Sequence, residues 1–313
     1  MSLVVSLPGA ALRDAYDSLP PATPAMAPGA VEFVTWDMRS DAPLDTFDIV
    51  VPPYMDAASA LEQLAGIRTR LVQSQSIGYD GVAAALPPGN VYANASSVHE
   101  ASTAELAMAL MLAEQRGIPR FVRAAERGEW APARLASLAD RRVLIVGYGG
   151  VGKAVEARLA GFEVQVTRVA SRAREDDGLP VHGVDELPAL LPHADIVVIG
   201  TPLTDATRGL VDDAFLSALP DGALVVNVAR GPVVDSDALL KHARSGRLRF
   251  ALDVTDPEPL PQGHPLFALP NVLISPHVGG ATSAMMPRMA GLLRRQIERM
   301  LAGEPPLNVV LRT

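Results

Sequence analysis

Arg142-Val143-Leu144-Ile145-Val146-Gly147-Tyr148-Gly149-Gly150-Val151-Gly152 sets an apolar run directly against the spacing G-x-G-x-x-G, and residues 153 to 160 continue in helix-forming composition. Strand, glycine turn and helix in that order are the context in which this spacing binds a dinucleotide. Gly147 permits the tight turn, Gly149 lets the backbone approach a pyrophosphate, and Gly152 allows close helix-on-strand packing. Val151 falls in the first helical turn, where unsatisfied N–H groups and a partial positive charge favour phosphate.

Working outward, apolar runs of strand length recur at Glu163–Arg168, Asp195–Gly200, Ala223–Val228, Phe250–Val254 and Val272–Ser275, with helices such as Gly150–Ala160 and Asp235–Ser245 between them. Six strands alternating with helices predict a doubly wound, Rossmann-type parallel sheet. The first hundred residues alternate similarly, with strands expected at Leu3–Ser6, Glu32–Thr35, Phe47–Val51, Arg70–Gln73 and Asn90–Ala93. They predict a smaller, flavodoxin-like α/β domain. Val98–Arg116 reads as one long Ala/Leu/Met-rich helix, apolar on most faces. Such a helix must be buried, here against a second subunit or between domains. Ser283–Ala302 is an amphipathic helix carrying Arg294, Arg295, Glu298 and Arg299, expected to return to the first domain. The expected division is therefore a discontinuous substrate domain, 1–98 with 283–313, and a dinucleotide-binding domain, 99–282.

A chain of 313 residues, 49% hydrophobic and 20% charged, has the length for two domains and the composition for sizeable cores. Its formal net charge of −8, without a basic run, argues against nucleic acid as partner. The absence of cysteine excludes disulfides and thiolate chemistry, and no histidines are spaced as metal ligands, so no metal is expected. Apolar runs such as Leu106–Ala113 are far shorter than the roughly 20 residues of a spanning helix. The N-terminus lacks the basic start of a signal peptide. A cytoplasmic protein is expected.

The second strand bears on which dinucleotide is bound. An NAD enzyme carries an acid near its end to hold the ribose hydroxyls. Here Glu163-Val164-Gln165-Val166-Thr167-Arg168 is followed by Val169-Ala170-Ser171-Arg172. The acid is absent, and Arg168 and Arg172 flank the position with guanidinium groups able to fork onto a 2′-phosphate. NADP is the expected cofactor, with NAD as the alternative.

Three further segments carry chemistry: Asn227-Val228-Ala229-Arg230-Gly231-Pro232, Leu252-Asp253-Val254-Thr255-Asp256-Pro257-Glu258-Pro259, and Ser275-Pro276-His277-Val278-Gly279-Gly280. A nicotinamide-linked reduction of a carbonyl that carries a carboxylate would need a hydride, a proton for the carbonyl oxygen and a clamp for the carboxylate, and these residue types can supply the last two. His277 can supply the proton, since imidazole titrates near neutrality. Glu258 beside it would orient the ring and stabilise its protonated form. Arg230 offers a fixed charge with two donors for the carboxylate and carbonyl. Tyr54 follows the third strand at the carboxyl end, where open α/β sheets place ligands, and is expected at the substrate.

In this order behind the glycines, the segments resemble the D-isomer-specific 2-hydroxyacid dehydrogenase family. The resemblance extends to Gln73-Ser74-Gln75-Ser76-Ile77-Gly78-Tyr79-Asp80 and to Thr103-Ala104-Glu105. It implies the same roles for Arg230, Glu258 and His277, and backbone amides of Ile77 and Gly78 for the substrate carboxylate. It also implies Thr201, Pro202, Val228, Ala229 and Gly280 along the cofactor, and Asp253 as acceptor for the nicotinamide carboxamide. The expected activity is NADPH-linked reduction of a small 2-oxo acid, glyoxylate or hydroxypyruvate in kind, to the 2-hydroxy acid by a homodimer. Oxidation of another small anion, such as phosphite or formate, and a non-enzymatic dinucleotide-sensing scaffold are the alternatives. Ile77 departs from the small residue common at its position, which bears on substrate size.

Overall fold

Two parallel sheets carry the fold, each inside its own unit: Met1–His99 with Thr282–Thr313, and Glu100–Ala281. The computed structural model describes residues 2–21, 27–54 and 57–313. In chain order the strands are β1 (Leu3–Leu7), β2 (Val31–Thr35), β3 (Thr46–Val50), β4 (Arg68–Gln73), β5 (Val91–Ala93), β6 (Arg142–Val146) and β7 (Gln165–Ala170). They continue with β8 (Arg174–Asp176), β9 (Leu179–Gly183), β10 (Ile196–Ile199), β11 (Leu224–Asn227), β12 (Arg249–Leu252), β13 (Val272–Ile274) and β14 (Val309–Arg312).

The first unit orders its sheet β14-β5-β4-β3-β1-β2. All neighbours are parallel except β14 on β5, so β1 to β5 follow the flavodoxin order with one antiparallel edge strand added. On one face Val5, Ile49, Leu71 and Ala93 pack with the helices Ala10–Asp17 and Met285–Leu301. The returning helix buries Met289, Leu292, Leu293, Gln296 and Ile297, the i, i+3, i+4, i+7, i+8 stripe of an amphipathic helix. Its one polar member, Gln296, donates to Gln73 Oε1 at 2.6 Å and to the Leu307 carbonyl at 2.9 Å.

The second unit orders its sheet β13-β12-β11-β10-β6-β7-β9-β8. Strands β9-β7-β6-β10-β11-β12 reproduce the doubly wound 3-2-1-4-5-6 order, so the switch point lies between β6 and β10. Both faces of β6 are buried, Val143 and Ile145 in one cluster and Leu144 and Val146 in the other, which is why the strand reads as a continuous apolar run.

Three expectations change. The long helix spans Glu100–Gln115, and its Ala104, Ala107, Met108, Leu110 and Met111 pack with Ile145, Val155 and Leu159 of its own unit. Its apolar composition is therefore largely satisfied within the chain. The second Rossmann strand begins at Gln165 and ends at Ala170, two residues later than expected. Glu163 takes a left-handed turn (φ 57°) and its carbonyl accepts from the Asp140 amide, so the strand cannot begin there. The sheet also gains a hairpin, β8–β9, turning on Asp177 and Gly178, both at positive φ as a two-residue hairpin turn requires. The three charged residues of β8 carry no apolar alternation to announce a strand.

Candidate active site

The glycine turn closes on the neighbouring strand end. A Cβ on Gly147 would lie 2.4 Å from the Thr201 nitrogen, and one on Gly152 would lie 2.5 Å from the Gly147 carbonyl. Neither position tolerates a side chain. Gly149, by contrast, faces open space and caps the helix Gly150–Leu159 without any side-chain bond to that helix's amides. Thr201 and Pro202 continue from β10 beside Gly147, and Val228 and Ala229 continue from β11. A narrow backbone cradle, an open glycine and an uncapped helix N-terminus together fit a dinucleotide pyrophosphate.

Arg168 does not stand where the sequence reading put it. Because β7 runs to Ala170, Arg168 lies two residues inside the strand. Its guanidinium is engaged by Glu156 of the underlying helix, Nε donating to Oε2 at 2.8 Å and Nη2 to Oε1. Tyr148 Oη donates to the same carboxylate at 2.5 Å, and its ring lies 5.7 Å from the guanidinium carbon. Hydrogen bonds to Glu156 hold the Arg168 guanidinium above the usual arginine range. Arg172 is exposed and lies two residues past the end of the strand. Arg174 is the basic residue the sequence reading missed. The hairpin folds it back so that Nη2 donates to the Tyr148 carbonyl, inside the glycine turn, at 2.8 Å. The Asp177-Gly178 pair was the signal for that return.

At the other end of the switch region, His277 and Glu258 meet: Nδ1 lies 2.5 Å from Oε1. With the carboxylate accepting, Nδ1 carries the proton and Nε2 is left as the ring's other nitrogen. His277 is itself in the left-handed region (φ 52°), and Asp253 holds it there. The His277 amide donates to the Asp253 carbonyl at 2.8 Å. The buried Asp253 carboxylate accepts from Ser275 Oγ (2.7 Å), the Val278 amide (2.9 Å) and the Gly279 amide (2.9 Å). Asp253, the acid expected at the nicotinamide carboxamide, thus holds the histidine turn, which continues into Gly280. Gly279 is required by the same contact, since a Cβ would stand 2.8 Å from Asp253 Oδ2.

Arg230 follows β11 in extended conformation, its Nη1 donating to the Ala229 carbonyl at 2.8 Å. Asn227 shapes this turn, accepting from the Ala229 amide (3.0 Å) and donating to the Arg230 carbonyl (3.1 Å). Gly231 packs against the Glu258 loop so closely that a Cβ would fall 1.8 Å from the Thr255 carbonyl. Arg230, Glu258 and His277 thus leave the carboxyl ends of three adjacent strands, β11, β12 and β13. Among the described residues no cluster of His, Asp or Glu is arranged to hold a metal, and no helix is long and apolar enough to cross a membrane.

Within the first unit, Tyr54 and the segment Ser74–Gly78 follow the carboxyl ends of the neighbouring strands β3 and β4. Four successive carbonyls of that segment are occupied. Ser74 accepts from Gln73 Nε2 (2.9 Å), Gln75 from His99 Nε2 (2.6 Å), Ser76 from the Ala95 amide (2.9 Å) and Ile77 from Asn94 Nδ2 (2.9 Å). Among the described residues, the amides of Ile77 and Gly78 donate to nothing.

A dinucleotide cradle at the switch point, with a His–carboxylate pair and an arginine at the adjoining strand ends, defines a nicotinamide-dependent oxidoreductase. Residues 108–279 match the model of the D-isomer specific 2-hydroxyacid dehydrogenase NAD binding domain, and the chain belongs to that family. It is 33% identical over 251 residues to the glyoxylate reductase/hydroxypyruvate reductase of Homo sapiens, covering 77% of this chain and 76% of that one. It is 31% identical over 250 residues to the D-3-phosphoglycerate dehydrogenase of Methanocaldococcus jannaschii, covering 78% of this chain but only 48% of that longer protein. Among solved structures, a D-isomer specific 2-hydroxyacid dehydrogenase from Xanthobacter autotrophicus Py2, in complex with NADPH and MES, superposes with a TM-score of 0.79. It is 29% identical, and the match covers 99% of this chain and 98% of that one.

Proposed function

We propose that this enzyme reduces a small 2-oxo acid, such as glyoxylate or hydroxypyruvate, to the 2-hydroxy acid with NADPH. The observation that carries the reading is the 2.5 Å contact between His277 Nδ1 and Glu258, which leaves Nε2 to deliver a proton. Glu258 fixes the tautomer and balances the charge of the protonated ring. Arg230 pairs with the substrate carboxylate and polarises the carbonyl. The Ile77 and Gly78 amides, without partners of their own, are assigned to the same carboxylate, and Tyr54 to the border of the substrate pocket. Asp253 keeps the histidine turn in place and is assigned to the nicotinamide carboxamide.

The residues that would hold the cofactor are Gly147, Gly149, Val151 and Gly152 at the pyrophosphate, with Thr201, Pro202, Val228, Ala229 and Gly280 along it. When bound, the nicotinamide supplies the hydride for the carbonyl carbon. Arg172 and Arg174, in place of Arg168, are assigned to the 2′-phosphate. The NADPH in the Xanthobacter enzyme supports NADP as the cofactor, as does the missing strand-end acid. We further propose a homodimer. The helix Ile118–Glu126 exposes Ile118 and Val122, a groove lined by Ala109, Leu112, Ile118 and Phe121 runs beside it, and Trp130 is 94% exposed.

The deciding experiment is steady-state kinetics over a panel of 2-oxo acids with NADPH and NADH, alongside phosphite and formate in the oxidative direction. Turnover of glyoxylate or hydroxypyruvate with NADPH supports the assignment. Turnover of phosphite or formate alone, or none with any panel member, removes it.

A further inference from the structure

His99 belongs neither to the proton-transfer pair nor to the dinucleotide cradle, yet it is 5% exposed and its ring is held on two sides. Its Nε2 lies 2.6 Å from the Gln75 carbonyl, and because a carbonyl can only accept, Nε2 carries the proton. The ring stacks on Tyr54, with centroids 5.7 Å apart and planes inclined by 17°. Gln75 in turn donates from Nε2 to the Pro52 carbonyl at 2.9 Å, two residues before Tyr54. The loop after β3 and the turn after β4 are thus tied twice, once by Gln75 and once through the His99 ring.

Each carbonyl of this turn that is pulled inward turns the peptide plane and so aims the following amide. The Gln75 carbonyl shares its plane with the Ser76 amide, which is steered onto Ser74 Oγ at 3.0 Å. The next two amides, of Ile77 and Gly78, share their planes with the Ser76 and Ile77 carbonyls, held by the Ala95 amide and Asn94, so His99 anchors the start of the same run. Among the donors that hold the turn's carbonyls, His99 is the one whose ring also stacks on Tyr54.

We propose that His99 is a positioning residue for recognition of the 2-oxo acid. Through the Nε2–H···O=C bond to Gln75 it holds the 75–78 turn with the Ile77 and Gly78 amides presented, and through its stack it fixes Tyr54 relative to that turn. The inference rests on the assignment of these amides and Tyr54 to the substrate. It predicts that the donor at Nε2, rather than the bulk of the ring, sets substrate affinity.

The test compares His99→Phe, which keeps a stacking ring and loses the donor, with His99→Gln, which keeps an amide donor and loses the aromatic ring. His99→Phe should raise KM for glyoxylate about tenfold, the scale of one buried hydrogen bond. It should leave kcat within about twofold and KM for NADPH unchanged. His99→Gln should recover most of the loss. Hydrogen exchange of a peptide spanning residues 74–80 should quicken in His99→Phe and return toward wild type in His99→Gln. Unchanged KM in His99→Phe, equal loss in both variants, or a parallel rise in KM for NADPH would each overturn the positioning role while the wild-type activity stood. A wild-type enzyme that reduced no 2-oxo acid would instead remove the substrate assignment on which the role depends.

Discussion

Replacing Arg168 by aspartate separates two readings of the basic residues on β7. If Arg168 gripped the 2′-phosphate, Arg168→Asp would repel NADPH, offer the ribose an acceptor and reverse the coenzyme preference. The structure argues for a different outcome. Arg168 and Glu156 are only 13% and 19% exposed, and Tyr148 donates to the same carboxylate. The substitution would set a second carboxylate beside Glu156 and remove the guanidinium from which both Glu156 oxygens accept. Breaking such a largely buried pair costs roughly 3 kcal/mol. For a unit the size of Glu100–Ala281 that lowers Tm by about 6–12 °C, at roughly 2–4 °C per kcal/mol. The ratio of kcat/KM for NADPH over NADH should move little. Arg172→Ala should do the reverse. Arg172 is exposed, so its loss should leave Tm nearly unchanged. The missing charge-assisted bond should lower the NADPH/NADH ratio by about five- to thirtyfold, or roughly 1–2 kcal/mol. Differential scanning calorimetry and initial-rate kinetics on both variants give the answer. An Arg168→Asp enzyme of native Tm that prefers NADH would refute the argument.

His277→Asn should lower kcat by about two to four orders of magnitude, with the dissociation constant for NADPH unchanged by fluorescence titration; near-normal turnover would remove the acid/base role. Gly231→Ala places a Cβ against the Thr255 carbonyl, at 1.8 Å before relaxation. It should displace Arg230 and the Glu258 loop together, lowering both Tm and kcat/KM, and an enzyme unchanged in both would show that this contact does not organise the site. Sedimentation at micromolar concentration should give twice the monomer mass, and Val122→Glu with Ile118→Glu should shift it toward the monomer; a wild-type monomer would contradict the dimer.

The local elements that carry the chemistry were legible in the sequence because each is a short segment with its own physical signature. Glycines at fixed offsets after an apolar strand mark the phosphate turn, since only a bare backbone fits between Gly147 and Thr201. His277, Glu258 and Arg230 stood out because their side-chain chemistry matches a reduction and because each follows a predicted strand. The strand–helix alternation was enough for the doubly wound class, but its third strand, β9, went unread and β13 stood in the count for a strand beyond the six. Strand boundaries were less legible, and the two-residue displacement of β7 by the Glu163 turn set Arg168 inside the strand rather than at its end. Apart from the His277–Glu258 pair, partnership between distant residues was decided only in three dimensions. Glu156 claims Arg168 across twelve positions, Asp253 spends its carboxylate on the histidine turn, and Arg174 returns to Tyr148 through a hairpin of charged residues. A side chain's valence is written in the sequence, but which neighbour satisfies it depends on the packing that brings the strand ends together.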